Sequence, residues 1–96
     1  MKDFTYRIPQ QRNLVTELPG PKSAALDARR ENSCARALAP GLPGYVADAD
    51  GCILLDIDGN SFIDFASGIA VTSVGGSNPE VAKATAEAAT HNTHTC

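Results

Sequence analysis

Residues 45–65 decide the fold, and they read YVADADGCILLDIDGNSFIDF. Three β-prone runs alternate here with two Asp-Gly pairs: residues 45–49, Asp50-Gly51, residues 52–57, Asp58-Gly59 and residues 61–65. Asp-Gly is a favoured two-residue hairpin turn, because glycine accepts the positive φ that such a turn needs. The spacing therefore predicts a three-stranded antiparallel meander.

Apolar side chains alternate along the second and third runs. Ile53, Leu55 and Ile57 fall on one face of the second strand. Ile63 and Phe65 do the same on the third. Because successive side chains in a strand point to opposite faces, one side of the meander is predicted to be apolar and the other more polar.

A helix is predicted before the meander. Residues 1–20 are polar and show no sustained period, which indicates an extended arm. Pro21 can occupy the first turn of a helix, since its missing N–H would be unpaired there anyway. Residues 22–38 are rich in Ala, Arg and Glu, all good helix formers, so the helix is expected to run to about Leu38.

A second helix is predicted after the meander, over residues 81–91. Asn78 is a natural cap with Pro79 at the first helical position, whereas Ser77 with Glu80 could instead form a capping box. Both alternatives start the helix in the same place. The expected fold class is therefore α+β: helix, three-stranded antiparallel meander, helix.

Large apolar side chains are unevenly distributed over the 96 residues. The last 22 residues contain Val81 and no other large apolar side chain, and their helix is mostly alanine. A chain of this length makes one domain, and a short Ala-rich helix is marginal in water by itself. We therefore expect this end to pack against a larger body that the chain does not contain.

Composition and charge exclude several classes of protein. The net charge of −3 offers no basic surface for nucleic acid. No apolar run approaches the roughly 20 residues that cross a bilayer, so no membrane is expected as a partner. A secretory signal is also missing, and the odd set of three cysteines favours reduced thiols. The expected compartment is the cytoplasm.

Short motifs that could carry chemistry have simpler interpretations. Residues 56–60 lack the glycine and glutamate positions of a calcium loop and are better explained by a hairpin. His91, His94 and Cys96 are one ligand short of a structural zinc site, so they indicate a polar helix end. Gly75-Gly76 lacks the lysine of a phosphate loop and precedes a helix cap. The residues alone predict no catalytic, cofactor-binding or metal-binding site.

An ordered series of motifs nevertheless resembles the N-terminal portion of class III pyridoxal-phosphate-dependent aminotransferases. The series is Pro43-x-Tyr45-Val46-Ala47-Asp48-Ala49, residues 55–65, Ser67-Gly68-Ile69-Ala70-Val71, Gly75-x-x-Asn78-Pro79 and His94-Thr95-Cys96. Upstream, residues 16–23 and the Arg29-Arg30 pair are similar to the opening of bacterial enzymes of this family that act on 4-aminobutyrate. The resemblance covers nearly all of the chain after about residue 14.

The resemblance implies a fold-type I transferase of which this chain is an incomplete part. Residues 21–96 would be the N-terminal segment of its small domain, running into the large domain. Pyridoxal 5'-phosphate would be held by a lysine, a phosphate loop and an aspartate that all lie beyond Cys96. The partners implied are a small-molecule amino donor, 2-oxoglutarate and further copies of the enzyme in a dimer or larger homo-oligomer. The 96 residues alone are expected to be inactive.

The resemblance also implies one substrate-binding residue, Ile69. The sequence at residues 67–71 is similar to the 4-aminobutyrate enzymes, in which this isoleucine lines the substrate pocket, whereas ornithine enzymes usually carry tyrosine there. Without the resemblance, Ile69 could equally be an ordinary core residue. Two alternatives stay open for the whole chain: another class III ω-amino-acid aminotransferase, or a non-catalytic structural or interaction module.

Overall fold

A computed structural model describes residues 5–42 and 44–95 of the chain. Its elements, in order, are α1 (Pro21–Ser33), β1 (Val46–Asp50), β2 (Ile53–Asp56), β3 (Ser61–Ile63), α2 (Ser67–Ala70) and α3 (Pro79–Ala89). The strands form one antiparallel sheet in the order β1-β2-β3. The predicted succession of helix, meander and helix is confirmed, and the single turn α2 is an addition to it.

The first hairpin turn lies one residue later than predicted. Asp50 pairs with Ile53, so Gly51 and Cys52 form the turn. The side chain of Gln10 holds it there: Nε2 donates to the Asp50 carbonyl oxygen at 2.9 Å, and Oε1 accepts the Cys52 N–H at 2.9 Å. Asp50 therefore belongs to the strand, because contacts from a distant part of the chain hold both sides of the turn.

The second hairpin turn has three residues rather than the predicted two. The Asp56 N–H donates to the Asn60 carbonyl oxygen at 3.0 Å, which leaves residues 57–59 as the loop. Asp56 Oδ1 also accepts the N–H groups of Asp58 at 2.9 Å and Asn60 at 2.8 Å. This carboxylate satisfies two loop amides at once, which favours the longer turn.

The helix before the meander ends earlier than predicted, at Ser33 rather than near Leu38. Cys34 is already extended, and an Arg30 N–H donates to the Leu38 carbonyl oxygen at 3.1 Å, so the chain folds back on the helix end. Leu38 is 64% exposed. Because the side chain of Leu38 has no apolar surface to cover, a longer helix would gain little from burying it.

The helix after the meander begins at Pro79 and ends at Ala89, two residues before the predicted end. Asn78 Oδ1 accepts the N–H of Glu80 at 3.0 Å and that of Val81 at 3.2 Å. Of the two capping alternatives, the structure adopts the asparagine cap with proline at the first position.

The buried core is small and largely polar. Among the described residues, Ile8 and Ile53 are the buried large apolar side chains, and the buried polar ones are Ser23, Asp50, Asp56, Asn60 and Ser61. The apolar side chains predicted for the third strand are not covered, because Ile63 is 46% exposed and Phe65 is 92% exposed. Phe65 lies beyond the end of β3, where the alternation no longer applies.

Polar side chains of the meander hold the segment that precedes α1. Asn60 is fully buried, and its Oδ1 accepts the N–H groups of Val15 at 2.7 Å and Thr16 at 3.0 Å. Asn13 and Ser61 exchange two backbone hydrogen bonds, at 3.0 and 2.7 Å. Residues 13–16 are therefore fixed along the third strand by hydrogen bonds rather than by apolar packing.

The N-terminus of α1 is capped by a residue of the hairpin. Gly20 precedes the helix and offers no side chain, but Asp58 accepts the N–H groups of Lys22 at 2.8 Å and Ser23 at 2.9 Å. A methyl carbon at Gly20 would lie 2.3 Å from Cγ of Asp58, so only glycine permits this approach. The cap is thus a tertiary contact between α1 and the meander.

The Asp58 cap predicts a dependence of stability on pH. Burial raises the pKa of Asp58, but the hydrogen bonds from Lys22 and Ser23 outweigh it and hold the pKa below the usual value of 3.8. Folding therefore gains from the ionised carboxylate above the unfolded-state pKa, and the gain is lost as the pH falls through the lower folded-state pKa. We expect Asp58→Asn to destabilise the fold at neutral pH, with the difference from the parent chain vanishing in acid.

Amide hydrogen exchange at Lys22 and Ser23, together with urea unfolding over a pH series, measures this effect. Glu17→Gln is the matched control, because it removes the same charge from an exposed position. An Asp58→Asn penalty that stays constant from neutral pH into acid would contradict the role of the ionised cap.

Candidate functional site

Residues 65–75 form a loop whose two ends meet at the β1–β2 turn. At the first end, the Asp64 N–H donates to the Cys52 carbonyl oxygen at 2.8 Å. At the second end, Gly51 and Gly76 exchange two backbone hydrogen bonds, at 3.0 and 2.8 Å. Compact loops closed in this way frequently carry function in proteins.

The turn α2 within this loop is left-handed. Its four residues have φ values of 50°, 65°, 62° and 59°, in the order Ser67, Gly68, Ile69 and Ala70. The Ala70 N–H donates to the Ala66 carbonyl oxygen at 3.0 Å, which closes the turn. Left-handed backbone costs about 1–2 kcal/mol for each residue other than glycine. Such strain is characteristic of functional sites.

The candidate substrate-binding residue Ile69 lies in this strained turn. Its side chain is 90% exposed, so it is not part of the core of this structure. Other apolar side chains of the same loop are exposed too: Phe65, Val71 and Val74. The loop therefore presents an apolar surface around Ile69, and contact with a substrate stays a prediction.

Sequence reasoning missed Asp64, which joins the sheet to the turn. Its Oδ1 accepts the Ser67 N–H at 2.8 Å. The Ser67 hydroxyl donates to the Asp64 carbonyl oxygen at 3.4 Å. The pattern Asp-x-x-Ser, with acceptor and amide three residues apart, is the sequence signal that could have identified this contact.

A second polar cluster connects α1 with the start of the meander. The Tyr45 hydroxyl donates to Asp27 Oδ1 at 2.7 Å, and Arg30 Nε donates to the same oxygen at 3.0 Å. The hydrogen bond from Tyr45, followed by that from Arg30, lowers the pKa of Asp27, while the hydrogen bond to Asp27 raises the pKa of Tyr45. The hydrogen-bonding groups of this cluster pair with one another, so the cluster holds α1 against the start of the meander.

The described residues do not form a site for pyridoxal phosphate. Lys22 and Lys83 are both exposed, and Lys2 lies outside the described residues. The space beside Gly75 is filled by backbone, since a methyl carbon there would lie 2.9 Å from the Gly51 carbonyl oxygen. The glycine pair thus serves close packing and leaves no cradle for a phosphate.

Metal-binding candidates do not assemble within residues 5–42 and 44–95. No three His, Cys, Asp or Glu side chains are grouped closely enough there to hold an ion, and Cys96 lies outside those ranges. The carboxylate of Asp56 instead accepts N–H groups of the hairpin loop, and that of Asp58 accepts N–H groups at the start of α1.

One side of the sheet carries an open apolar groove. Its lining includes Leu18, Leu42, Val46, Leu54 and Phe62. The helix α3 likewise has no buried residue. Within the described residues, both the groove and the surface of α3 are therefore left open to solvent.

Among the described residues, no helix has the length and apolar character needed to cross a membrane.

The sequence model of class-III aminotransferases matches residues 37–96. The chain therefore belongs to the class-III aminotransferase family.

The chain is also similar to individual aminotransferases whose amino donors are known from their names. The chain is 47% identical over 89 residues to the 4-aminobutyrate aminotransferase of Mycobacterium tuberculosis. The aligned residues make up 93% of this chain and 20% of that protein. It is 44% identical to the enzyme of the same name from Mycobacterium leprae over the same shares. The 5-aminovalerate aminotransferase of Pseudomonas putida is 36% identical over 72 residues, or 75% of this chain and 17% of that protein. The chain thus spans about a fifth of the length of the two 4-aminobutyrate aminotransferases.

Proposed function

We propose that this chain is the N-terminal portion of a 4-aminobutyrate:2-oxoglutarate aminotransferase. In the reaction, the amino group of 4-aminobutyrate passes to 2-oxoglutarate, giving succinate semialdehyde and glutamate. The observation that carries the proposal is the 47% identity to a 4-aminobutyrate aminotransferase over 93% of the chain. The chain is also 36% identical to the 5-aminovalerate enzyme over 75% of its length, so another ω-amino acid is the alternative donor.

The proposed architecture is that of a fold-type I transferase. Residues 1–20 would be the arm, and residues 21–96 the first segment of the small domain, running into the large one. The apolar groove and the helix α3, which has no buried residue, support this architecture, because the rest of such an enzyme would cover them. We further propose a homodimer or larger oligomer in the cytoplasm, where the free, exposed thiols of Cys34 and Cys52 suit a reducing compartment.

The cofactor of this reaction would be pyridoxal 5'-phosphate, which supplies the transfer of the amino group. Because the described residues form no site for it, we propose that residues outside this chain hold it. The purified 96-residue chain is then expected to give neither transamination nor a Schiff-base absorption band when pyridoxal phosphate is added. Either signal would contradict this assignment.

Within the proposed enzyme, Ile69 would form one wall of the substrate pocket. Its side chain is 90% exposed in an apolar loop, and its backbone is held in an unfavourable conformation. An apolar wall suits the methylene chain of 4-aminobutyrate, and the position of that wall limits the length of the donor. This gives the residue a role in selecting the amino donor.

A hybrid enzyme tests the proposed function directly. Residues 5–95 would replace the aligned segment of the Mycobacterium tuberculosis 4-aminobutyrate aminotransferase, which supplies the remaining four fifths. The hybrid is expected to transfer the amino group of 4-aminobutyrate to 2-oxoglutarate and to prefer it to 5-aminovalerate. A cofactor-loaded hybrid that prefers 5-aminovalerate would favour the alternative donor.

Ile69→Tyr in the same hybrid is expected to lower kcat/KM for 4-aminobutyrate by about tenfold or more, because a larger side chain would narrow the pocket. The measurement is steady-state kinetics with both amino donors. Leu38→Tyr is the matched control, since it places the same ring on an exposed leucine remote in sequence. Equal kinetics for the two variants would contradict the role of Ile69.

A further inference from the structure

The backbone at Ile69 is unfavourable unless other contacts hold it. Its φ and ψ are both 62°, and the neighbouring Ser67 and Ala70 also have positive φ. Each of these three residues would gain free energy by leaving the left-handed region. A turn of this kind persists where the surrounding structure fixes it.

Asp64 supplies such a contact from the adjacent end of the sheet. Its backbone is tied to the β1–β2 turn through the 2.8 Å hydrogen bond from its N–H to the Cys52 carbonyl oxygen. Its side chain accepts the N–H of Ser67, the first residue of the turn, also at 2.8 Å. A half-buried carboxylate directly after the third strand thus fixes the point at which the backbone enters α2.

We propose that Asp64 is a positioning residue for selection of the amino donor, acting through Ser67 to hold the side chain of Ile69 in place. The proposal rests on the proposed function, because it takes Ile69 as a wall of the pocket. Asp64 itself need not touch the substrate. Its hydrogen bond determines where the turn begins, and the turn determines where the Ile69 side chain lies.

Two substitutions at Asp64 separate its hydrogen bond from its charge. Asp64→Asn retains an acceptor oxygen at the Oδ1 position and is expected to keep the turn, while Asp64→Ala removes the acceptor. In the hybrid, we expect Asp64→Ala to reduce the ratio of kcat/KM for 4-aminobutyrate to that for 5-aminovalerate by about tenfold, and Asp64→Asn to restore it. A merely structural role would lower both values together and leave the ratio unchanged.

The backbone of the 96-residue chain provides a second measurement. A positive φ brings the amide and α protons of one residue close together, which gives a strong NOE between them. We expect this NOE at Ile69 in the parent chain and in Asp64→Asn, and its loss in Asp64→Ala. An Asp64→Ala variant that keeps both the NOE and the donor ratio would overturn the proposal.

Failure of the proposed function would be seen in the unsubstituted hybrid, as a preference for 5-aminovalerate, whereas the donor ratios of the variants separate the role of Asp64 from that of Ile69. If Ile69→Tyr alters the ratio and Asp64→Ala does not, the role of Asp64 is excluded. The proposal that Ile69 forms a wall of the substrate pocket is then retained. If Ile69→Tyr leaves the ratio unchanged, Ile69 is not a pocket wall and the proposal for Asp64 falls with it.

Discussion

Replacing Asn60 by alanine is expected to lower the free energy of unfolding by about 2–4 kcal/mol. Its amide Oδ1 accepts the N–H groups of Val15 and Thr16, and its Nδ2 donates to Thr16 Oγ1 at 2.8 Å and to Asp56 Oδ2 at 2.9 Å. Alanine removes all four bonds from a fully buried position. The groups left without partners include a buried carboxylate oxygen, which makes the penalty larger than that of one lost hydrogen bond.

Urea unfolding of the chain, with amide hydrogen exchange at Val15 and Thr16, measures this loss. Asn32→Ala is the control, because Asn32 is exposed on α1 and donates to the Ala28 carbonyl oxygen within the same helix. We expect that substitution to change the stability by no more than about 0.5 kcal/mol. If the two variants were equally stable, Asn60 would not be what joins the preceding segment to the meander.

The expected size of the Asn60 effect follows from how this fold is held together. Carboxylates and an amide of the meander accept main-chain N–H groups of the segment before α1 and of α1 itself: Asp50, Asp58 and Asn60. Such a framework compensates for a small apolar core, because each buried acceptor is paired. It also makes the fold sensitive to single polar substitutions in the hairpin loops.

Local patterns were sufficient to predict the three strands and the helices α1 and α3, but not the turn α2. The Asp-Gly spacing predicted the meander, and Asn78-Pro79 predicted the start of α3, since both depend on residues adjacent in sequence. The positions of the turns were less predictable. The side chain that holds the first turn, Gln10, lies 42 residues before Cys52, which it contacts. No periodicity in the sequence reveals a contact of that range.

The candidate site was predictable only in part. Ile69 is predicted as a substrate-binding residue only by resemblance to a family. Nothing in the neighbouring sequence distinguishes it from a core residue. The left-handed turn could not have been expected, since isoleucine and alanine both disfavour positive φ and only Gly68 tolerates it. Asp64 was visible as an Asp-x-x-Ser pattern, but that pattern is common in ordinary turns.

The uneven distribution of large side chains and the exposed surfaces of the structure have the same explanation under the proposed function. Val81 is the only large apolar residue after position 74, and it is 52% exposed on a helix with no buried residue. The groove beside Leu54 and Phe62 is open as well. A chain that spans a fifth of its relatives' length would have these surfaces covered in the larger enzyme.

Gly75→Ala is expected to destabilise the fold by about 2–4 kcal/mol. Gly75 has a φ of 87°, which side chains rarely adopt, and a methyl carbon there would lie 2.9 Å from the carbonyl oxygen and 3.0 Å from Cα of Gly51. Both atoms belong to the backbone of the β1–β2 turn, so they cannot rotate away. Relief of the clash would require the paired hydrogen bonds between Gly51 and Gly76 to lengthen.

Gly41→Ala distinguishes this clash from the general effect of replacing a glycine. A methyl carbon at Gly41 meets no atom within 4 Å, so that variant is expected to remain within about 0.5 kcal/mol of the parent chain. Urea unfolding compares the two variants, and amide exchange at Gly51 and Gly76 locates the change. Faster exchange at both amides in Gly75→Ala alone would establish that the loop carrying Ile69 is closed at this point, whereas equal stability of the two variants would exclude the close approach of Gly75 to the turn.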